Sequence, residues 1–219
     1  MNDDAELAQR IAAGDSNALG EAFALHNDRL RRGVLFRMDP RLRGRVDADD
    51  VLQEAYLQAA DRVDHFAKRR EESGEEGAMS LFVWLRLLAA QALVDAHRRH
   101  LGAKMRDAGR EVALGGAPSP VATSVSLAGC LLGKLTSPSQ AAMRAELETK
   151  LQDALAGMSD LDQEVIALRH FEHLTNSEVA EALAIESKAA SIRYVRAVKR
   201  LKEVLDTTPG FAGLESLLK

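Results

Sequence analysis

Cysteine occurs once, at Cys130, so the chain can form neither an intrachain disulfide nor a cysteine-built metal cluster. Aromatic residues are only 4% of the composition, and proline appears 5 times. Flat side chains for stacking are therefore scarce, and so are imposed helix breaks. Phosphate loops of the GxxxxGK[ST] kind, GxSxG nucleophile elbows and HExxH zinc helices are all missing. His97 and His100 stand close together in "HRRH", but the cations between them oppose a metal ion. No apolar run approaches the length that spans a bilayer, and "MNDDAELAQRIAAGD" has no apolar signal segment. The expectation is a cytoplasmic protein that is not an enzyme, with no cofactor, no metal and no membrane partner.

Ala, Leu, Glu and Arg dominate what is present, and no alternating β-branched run appears. That composition predicts an all-α fold. At 219 residues and 46% hydrophobic content, the chain can bury one ordinary core or two small ones. "DDAELAQRIAAG" predicts a first helix closing at Gly14, and a second starts with Ser16 as N-cap and stops before Pro40. "DADDVLQEAYLQAADRVDHF" predicts a third, with Asp residues at its positive end and a stripe of Val51, Ala55, Leu57 (or Tyr56) and Ala59. The charged, Gly-containing "KRREESGEEG" predicts a loop. A helix opened by Ser80 and closed before Gly102 follows, apolar nearly all round until Val94 and so central to the core.

From Gly102 to about Ser139 the sequence turns rich in Gly, Ser and Pro. It predicts a linker, either a solvated tether or a segment docking in a partner groove, with one short apolar stretch, "LAGCLLGKL". Residues 140–206 return to helical patterns, with Thr175 and Glu178 spaced as a capping box and Ser159 with Asp162 as a weaker version. A short helix, a short turn and a longer basic helix predict a helix-turn-helix. The predicted organisation is two small helical domains, 1–101 and 140–206, joined by a flexible linker at 102–139. A short tail, 207–219, has no assignable role.

The basic helix contains "SKAASIRYVRAVKRLK", Ser187 to Lys202, with 6 Lys or Arg and no acid, although the whole chain has a formal net charge of −4. On a helical wheel, Ala190, Tyr194, Ala197, Val198, Leu201 and Leu205 form a core stripe. Lys188, Ile192, Val195, Arg196 and Lys199 lie opposite, flanked by Ser191 and Arg193. A purely solvated face would not favour Ile192 and Val195 among cations. Apolar contact with a thymine methyl accounts for them, which makes this face a candidate DNA reader. An acidic chain with one basic helix should bind DNA weakly alone, because phosphate contacts supply most non-specific affinity. DNA binding should depend on a partner.

Three stretches together resemble the bacterial sigma-70 family, specifically its small extracytoplasmic-function (ECF) group. "DADDVLQEAYLQA" is similar to the family's D-x-x-D-[LV]-x-Q-[ED] signature, which implies that Asp50, Gln53 and Glu54 bind the β′ clamp helices of core RNA polymerase. "SLFVWLRLLAAQALVDAHRRH" resembles the segment ending in W-L-x-x-I-A-x-N-x-x-x-D-x-x-R-R, matched at Trp84, Leu85, Asp95, Arg98 and Arg99. By that resemblance, Gln91, Arg98 and Arg99 face the promoter −10 element. "LRHFEHLTNSEVAEALAIESKAASIRYVRAVKRL" resembles the family's −35-reading region, matched at Arg169, Glu172, Glu178, Ala180, Leu183, Ile185, Arg193, Arg196 and Ala197. That implies contact with the polymerase β flap and a −35 site of Lys188, Ser191, Ile192, Arg193, Val195, Arg196 and Lys199. The family's asparagine is Gln91 here, its usual glycine before Ile185 is Ala184, and a usual valine is Ala190.

The resemblance implies a removable specificity subunit for transcription initiation, with core polymerase and promoter DNA as partners and an anti-sigma factor as a further candidate. Captured bases need aromatic platforms, and Phe66, Phe82 and Trp84 are the candidates, with core packing the main task of Trp84. Two other readings stay open. The second helical block alone suits a helix-turn-helix regulator that binds an operator independently of polymerase, and the basic face would also suit a helical protein-interaction module. Neither needs the "DADDVLQE" helix.

Overall fold

Residues 2–101, 111–114, 117–120, 124–133 and 141–207 are described by the computed structural model. The chain falls into two compact units, residues 1–120 with 181–184 and residues 121–180 with 185–219. The remainder of the linker stretch and positions 208–219 of the tail lie outside the described residues.

The first unit is built on five helices: α1 (Asn2–Ala12), α2 (Ser16–Arg37), α3 (Ala48–Ala60), α4 (Val63–Gly77) and α5 (Leu81–Leu101). Gly14, at φ +86°, makes the reversal after α1 that a residue with a Cβ resists. Asp15, not Ser16, caps α2, its carboxylate accepting the Asn17 N–H at 2.9 Å. Asp is at least as good a cap as Ser, and Ser16 becomes the first helical residue. The helix stops before Pro40 as its sequence predicts. Leu81, Phe82, Val83, Leu85, Leu88, Ala89 and Leu93 of α5 are all buried, and α1, α2 and α3 pack around that helix. Each large apolar side chain of this kind stabilises the fold by about 1.5–3 kcal/mol on burial.

Three local expectations are corrected. The stretch 47–66 is not one helix: it turns at Asp61 and Arg62, where Asp61 N–H bonds back to Leu57 and Ala59 carbonyls. That turn lets Phe66 of α4 stack on Trp84 of α5, rings 4.2 Å apart, and this packing outweighs helix continuity. Leu57 is 54% exposed, whereas Ala48, Val51, Leu52, Ala55 and Ala59 form the buried face of α3. Leu57 follows Ala55 by two positions, which puts it nearly opposite. The charged run after Phe66 is helical, not a loop, up to a break at Gly74 (φ +69°). Charge does not oppose a solvated helix, and Lys68 sits 3.9 Å from Glu72 one turn on.

The linker stretch contains structure. β1 (Glu111–Leu114) and β2 (Ala117–Pro120) pair antiparallel, Leu114 opposite Ala117, and β2 runs beside α5. This hairpin is the only sheet among the described residues of an otherwise all-α fold. In the second unit, α6 (Ser124–Gly133) packs on α7 (Ala141–Ala156) and buries Leu127, Ala128, Leu131 and Leu132. Their spacing of three and four is a helical stripe that the surrounding Gly and Ser obscure.

α8 (Asp160–Ile166) starts on Ser159, whose hydroxyl accepts the Asp162 N–H, and widens into a π-helical turn at Ala167–Phe171. α9 (Asn176–Leu183) opens with the expected capping box: Glu178 accepts the Thr175 N–H at 2.6 Å, and Thr175 Oγ1 accepts the Glu178 N–H at 3.2 Å. α10 (Ser187–Thr207) buries Ala190, Ala197, Leu201 and Leu205 against α7 and α8. Between α9 and α10, Ala184 takes φ +52°, the left-handed conformation that a glycine adopts freely.

Candidate nucleic-acid interface

The turn before α10 is fixed from both sides. Ile185 N–H bonds the Ala180 carbonyl at 3.0 Å, and the Asn176 amide donates to the Ser187 carbonyl and hydroxyl, both at 2.8 Å. Arg169 donates to the Leu174 carbonyl at 2.7 Å and lies 5.3 Å from the Tyr194 ring centre. Glu172 is buried. Most of the residues that carry the sequence resemblance here therefore build the helix-turn-helix rather than its surface.

The surface of α10 is made by others. Lys188, Ser191, Arg196 and Lys199 are exposed. Ile192 is 44% and Val195 64% exposed, two of the few large apolar side chains left open among the described residues. Arg193 differs from the rest of the expected set. It is half-buried and pairs with Asp162 of α8 at 3.3 Å, so it braces the base of the face. Lys199 lies 4.0 Å from Glu203, both well exposed, a contact that solvent weakens.

In the first unit, the expected acidic set lies on one face of α3. Asp50 and Gln53 are exposed and Glu54 is half-buried. Asp50 has a second task, because its carboxylate accepts the Asp47 N–H at 3.0 Å and completes the capping box of α3. Asp49 beside it pairs with Arg31 at 3.2 Å. Leu57 lies one turn further on the same face, an apolar neighbour that its expected place in the core concealed.

Arg98 and Arg99 are exposed at the end of α5, and Gln91 is half-buried two turns earlier. His97 ties this end to the turn after α2, its Nε2 accepting the Asp39 N–H at 3.3 Å. Burial pushes the His97 imidazole below its ordinary pKa; Asp39 opposes the shift and Arg41 adds to it. Asp39 is held low in turn, chiefly by hydrogen bonds from Arg41, which it meets at 2.7 Å. That turn presents Arg41, Arg43 and Arg45 to solvent around a fully buried Leu42. The Leu42 carbonyl accepts N–H bonds from Arg45 (2.7 Å) and Val46 (3.0 Å). Sequence reading missed these three arginines: only Val46 separates "RLRGR" from "DADD", and any average over the two is nearly neutral. Alternation of Arg around one Leu was the available signal. Of the three aromatic candidates, Phe66 and Phe82 are buried, and Trp84 is half-buried against Phe66.

A helix-turn-helix with an open cationic and apolar face, in a chain whose other unit carries an acidic helical face, defines a two-part helical nucleic-acid-binding protein. The family description "Sigma-70, region 4" matches residues 148–201, from within α7 to Leu201 of α10. The ECF RNA polymerase sigma factor SigD of Mycobacterium tuberculosis is 26% identical over 209 residues, covering 95% of this chain and 86% of that protein. The ECF RNA polymerase sigma factor SigW of Bacillus subtilis is 23% identical over 198 residues, 90% of this chain and 94% of that one. CnrH, solved in complex with the cytosolic domain of CnrY, is 21% identical with a TM-score of 0.49, over 93% of this chain and 97% of that one. The chain is thus similar over nearly its whole length to extracytoplasmic-function sigma factors, and its residues 148–201 match the sigma-70 region 4 family.

Proposed function

We propose that this protein is a specificity subunit of RNA polymerase, binding the core enzyme through α3 and directing it to promoters. In this reading Gln53 and Glu54, with Asp50, meet a basic polymerase surface. Arg98 and Arg99, with Gln91, engage the −10 element, and α10 reads the −35 element through Ile192, Val195 and Arg196, with Lys188 and Lys199 on phosphates. It supplies recognition, and the polymerase supplies the chemistry.

One observation carries the reading: the open face of α10 sets two exposed apolar side chains among exposed cations, opposite a fully buried stripe. Cations alone would bind any phosphate backbone, whereas base edges and thymine methyls also need apolar contact. The arginine turn at Arg41, Arg43 and Arg45 supports the same reading by adding cations near the end of α5 that faces DNA.

The test is transcription with purified core polymerase on a library of randomised promoters. The protein should select templates that share two short elements at fixed spacing. Transcription that does not depend on added protein, or that selects no common element, overturns the reading.

A further inference from the structure

We infer that Asp95, held by Gln58 of α3, is a positioning residue that sets the promoter-facing side chains at the end of α5. This rests on the sigma-factor reading above. Three of those side chains refer to Asp95. The Gln91 amide donates to Asp95 Oδ1 at 3.2 Å, and Arg98 Nη1 lies 3.9 Å from the same oxygen. Arg99 Nε donates to the Asp95 carbonyl at 3.4 Å. The second carboxylate oxygen is taken from outside the helix, by the Gln58 amide at 3.4 Å.

The Gln58 end has a fixed sense. Turned end for end, its carbonyl oxygen would face a carboxylate, so only the NH2-inward orientation is attractive. That orientation leaves Gln58 Oε1 buried with no hydrogen-bond partner. Leucine or methionine would fill the same space without stranding an acceptor. A polar group kept under that penalty, between two helices that would face two different partners, fits a task beyond packing. Gln58 lies one turn beyond Glu54, so α3 bears both the polymerase-facing surface and the hold on Asp95.

Asp95 also works against simple DNA attraction. Its negative charge sits among Arg98 and Arg99, where phosphates would approach. If it acted through charge alone, Asp95→Asn would strengthen binding to every sequence alike. If it positions Gln91, the same change removes one of the two acceptors and blurs base preference instead, because a single carbonyl oxygen cannot hold both carboxamides squarely.

The experiment measures open-complex formation by reconstituted holoenzyme on promoters varied one base pair at a time through the −10 element. Gln91→Ala should lower discrimination at one base pair by about tenfold. Gln58→Leu and Asp95→Asn should each lower it at that same pair by a similar factor. The double change Gln58→Leu with Gln91→Ala should lose no more than Gln91→Ala alone, the mark of residues acting in series. Gln58→Leu should still co-purify with core polymerase and melt no lower than the parent. Gln58→Met serves as the second variant should the branched side chain disturb folding. Losses that multiply in the double variant overturn the inference, as does discrimination that survives Gln58→Leu and Asp95→Asn, or that survives Gln91→Ala; the sigma-factor reading stands in each case. A parent holoenzyme blind to the −10 sequence overturns both.

Discussion

Ala184 sits where the chain needs a left-handed residue, and its φ of +52° brings its Cβ close to the following carbonyl. It is exposed, so its methyl group gains nothing from packing. Ala184→Gly should therefore raise stability by about 0.5–1 kcal/mol, part of the relief being offset by the greater freedom of glycine when unfolded. The urea midpoint should rise with an unchanged slope; a fall would mean that the turn is not strained. Asp50 shows the reverse situation, in which one side chain serves the fold and, under the proposed function, would also serve the partner. Replacing it by Ala would remove the N3 half of the capping box and confuse the two roles. Gln53→Ala with Glu54→Ala avoids the cap. That pair should abolish co-purification with core polymerase while leaving the melting temperature unchanged, and normal co-purification would remove α3 from the docking surface. On α10, Arg196 is central on the open face and can meet a guanine edge with two hydrogen bonds, whereas Lys199 is a point charge one turn on. Arg196→Ala in holoenzyme should relax preference at one −35 base pair, costing about 1–3 kcal/mol there. Lys199→Ala should weaken all sequences alike and lower the salt slope by about one. Equal losses on every sequence for both would reduce α10 to an electrostatic anchor.

The C-terminal end of α5 responds to pH as an element. His97 must be neutral to accept the Asp39 N–H, and burial favours that neutral form. Its folded pKa lies below the ordinary 6.5, so the unfolded chain takes up protons first as pH falls. Stability from this group is complete above 6.5 and is lost progressively below it, down to the folded pKa. Urea unfolding measured between about pH 7.5 and 5.5 should show that loss, and His97→Gln should flatten it. An acid limb unchanged in the variant would move the effect elsewhere. None of this was legible in the sequence, because Asp39 and His97 lie far apart in the chain and meet only through packing. What was legible is local. The Thr175–Glu178 box, the stop before Pro40 and the apolar span opening α5 are each settled within a turn or two of chain. The bend at Asp61 was not, since it answers to the stacking of Phe66 on Trp84. The Gln58–Asp95 contact was hidden for the same reason, as it joins two helices.

Across the whole molecule, charge is sorted rather than mixed. A formal net charge of −4 coexists with an all-cationic stretch on α10 and an arginine turn after α2. Long-range repulsion from the acidic remainder opposes DNA, and neither cationic surface alone makes many phosphate contacts. The free protein should therefore bind duplex promoter DNA weakly and with a shallow salt dependence, and holoenzyme tightly and steeply. Tight, sequence-specific binding by the free protein would favour an independent operator-binding regulator. The division of labour along α10 has a further bearing. The side chains that hold the helix-turn-helix together, such as Arg169, Glu172 and Ala197, are not those on the open face of α10. Ile192, Val195, Arg196 and Lys199 anchor nothing in the interior, and exchanging surface residues of that kind changes stability by only about 0.5 kcal/mol either way. If α10 reads promoters as proposed, its vocabulary is thus free to drift between lineages, or to be rewritten in the laboratory by a few substitutions, while the grammar that folds it stays fixed.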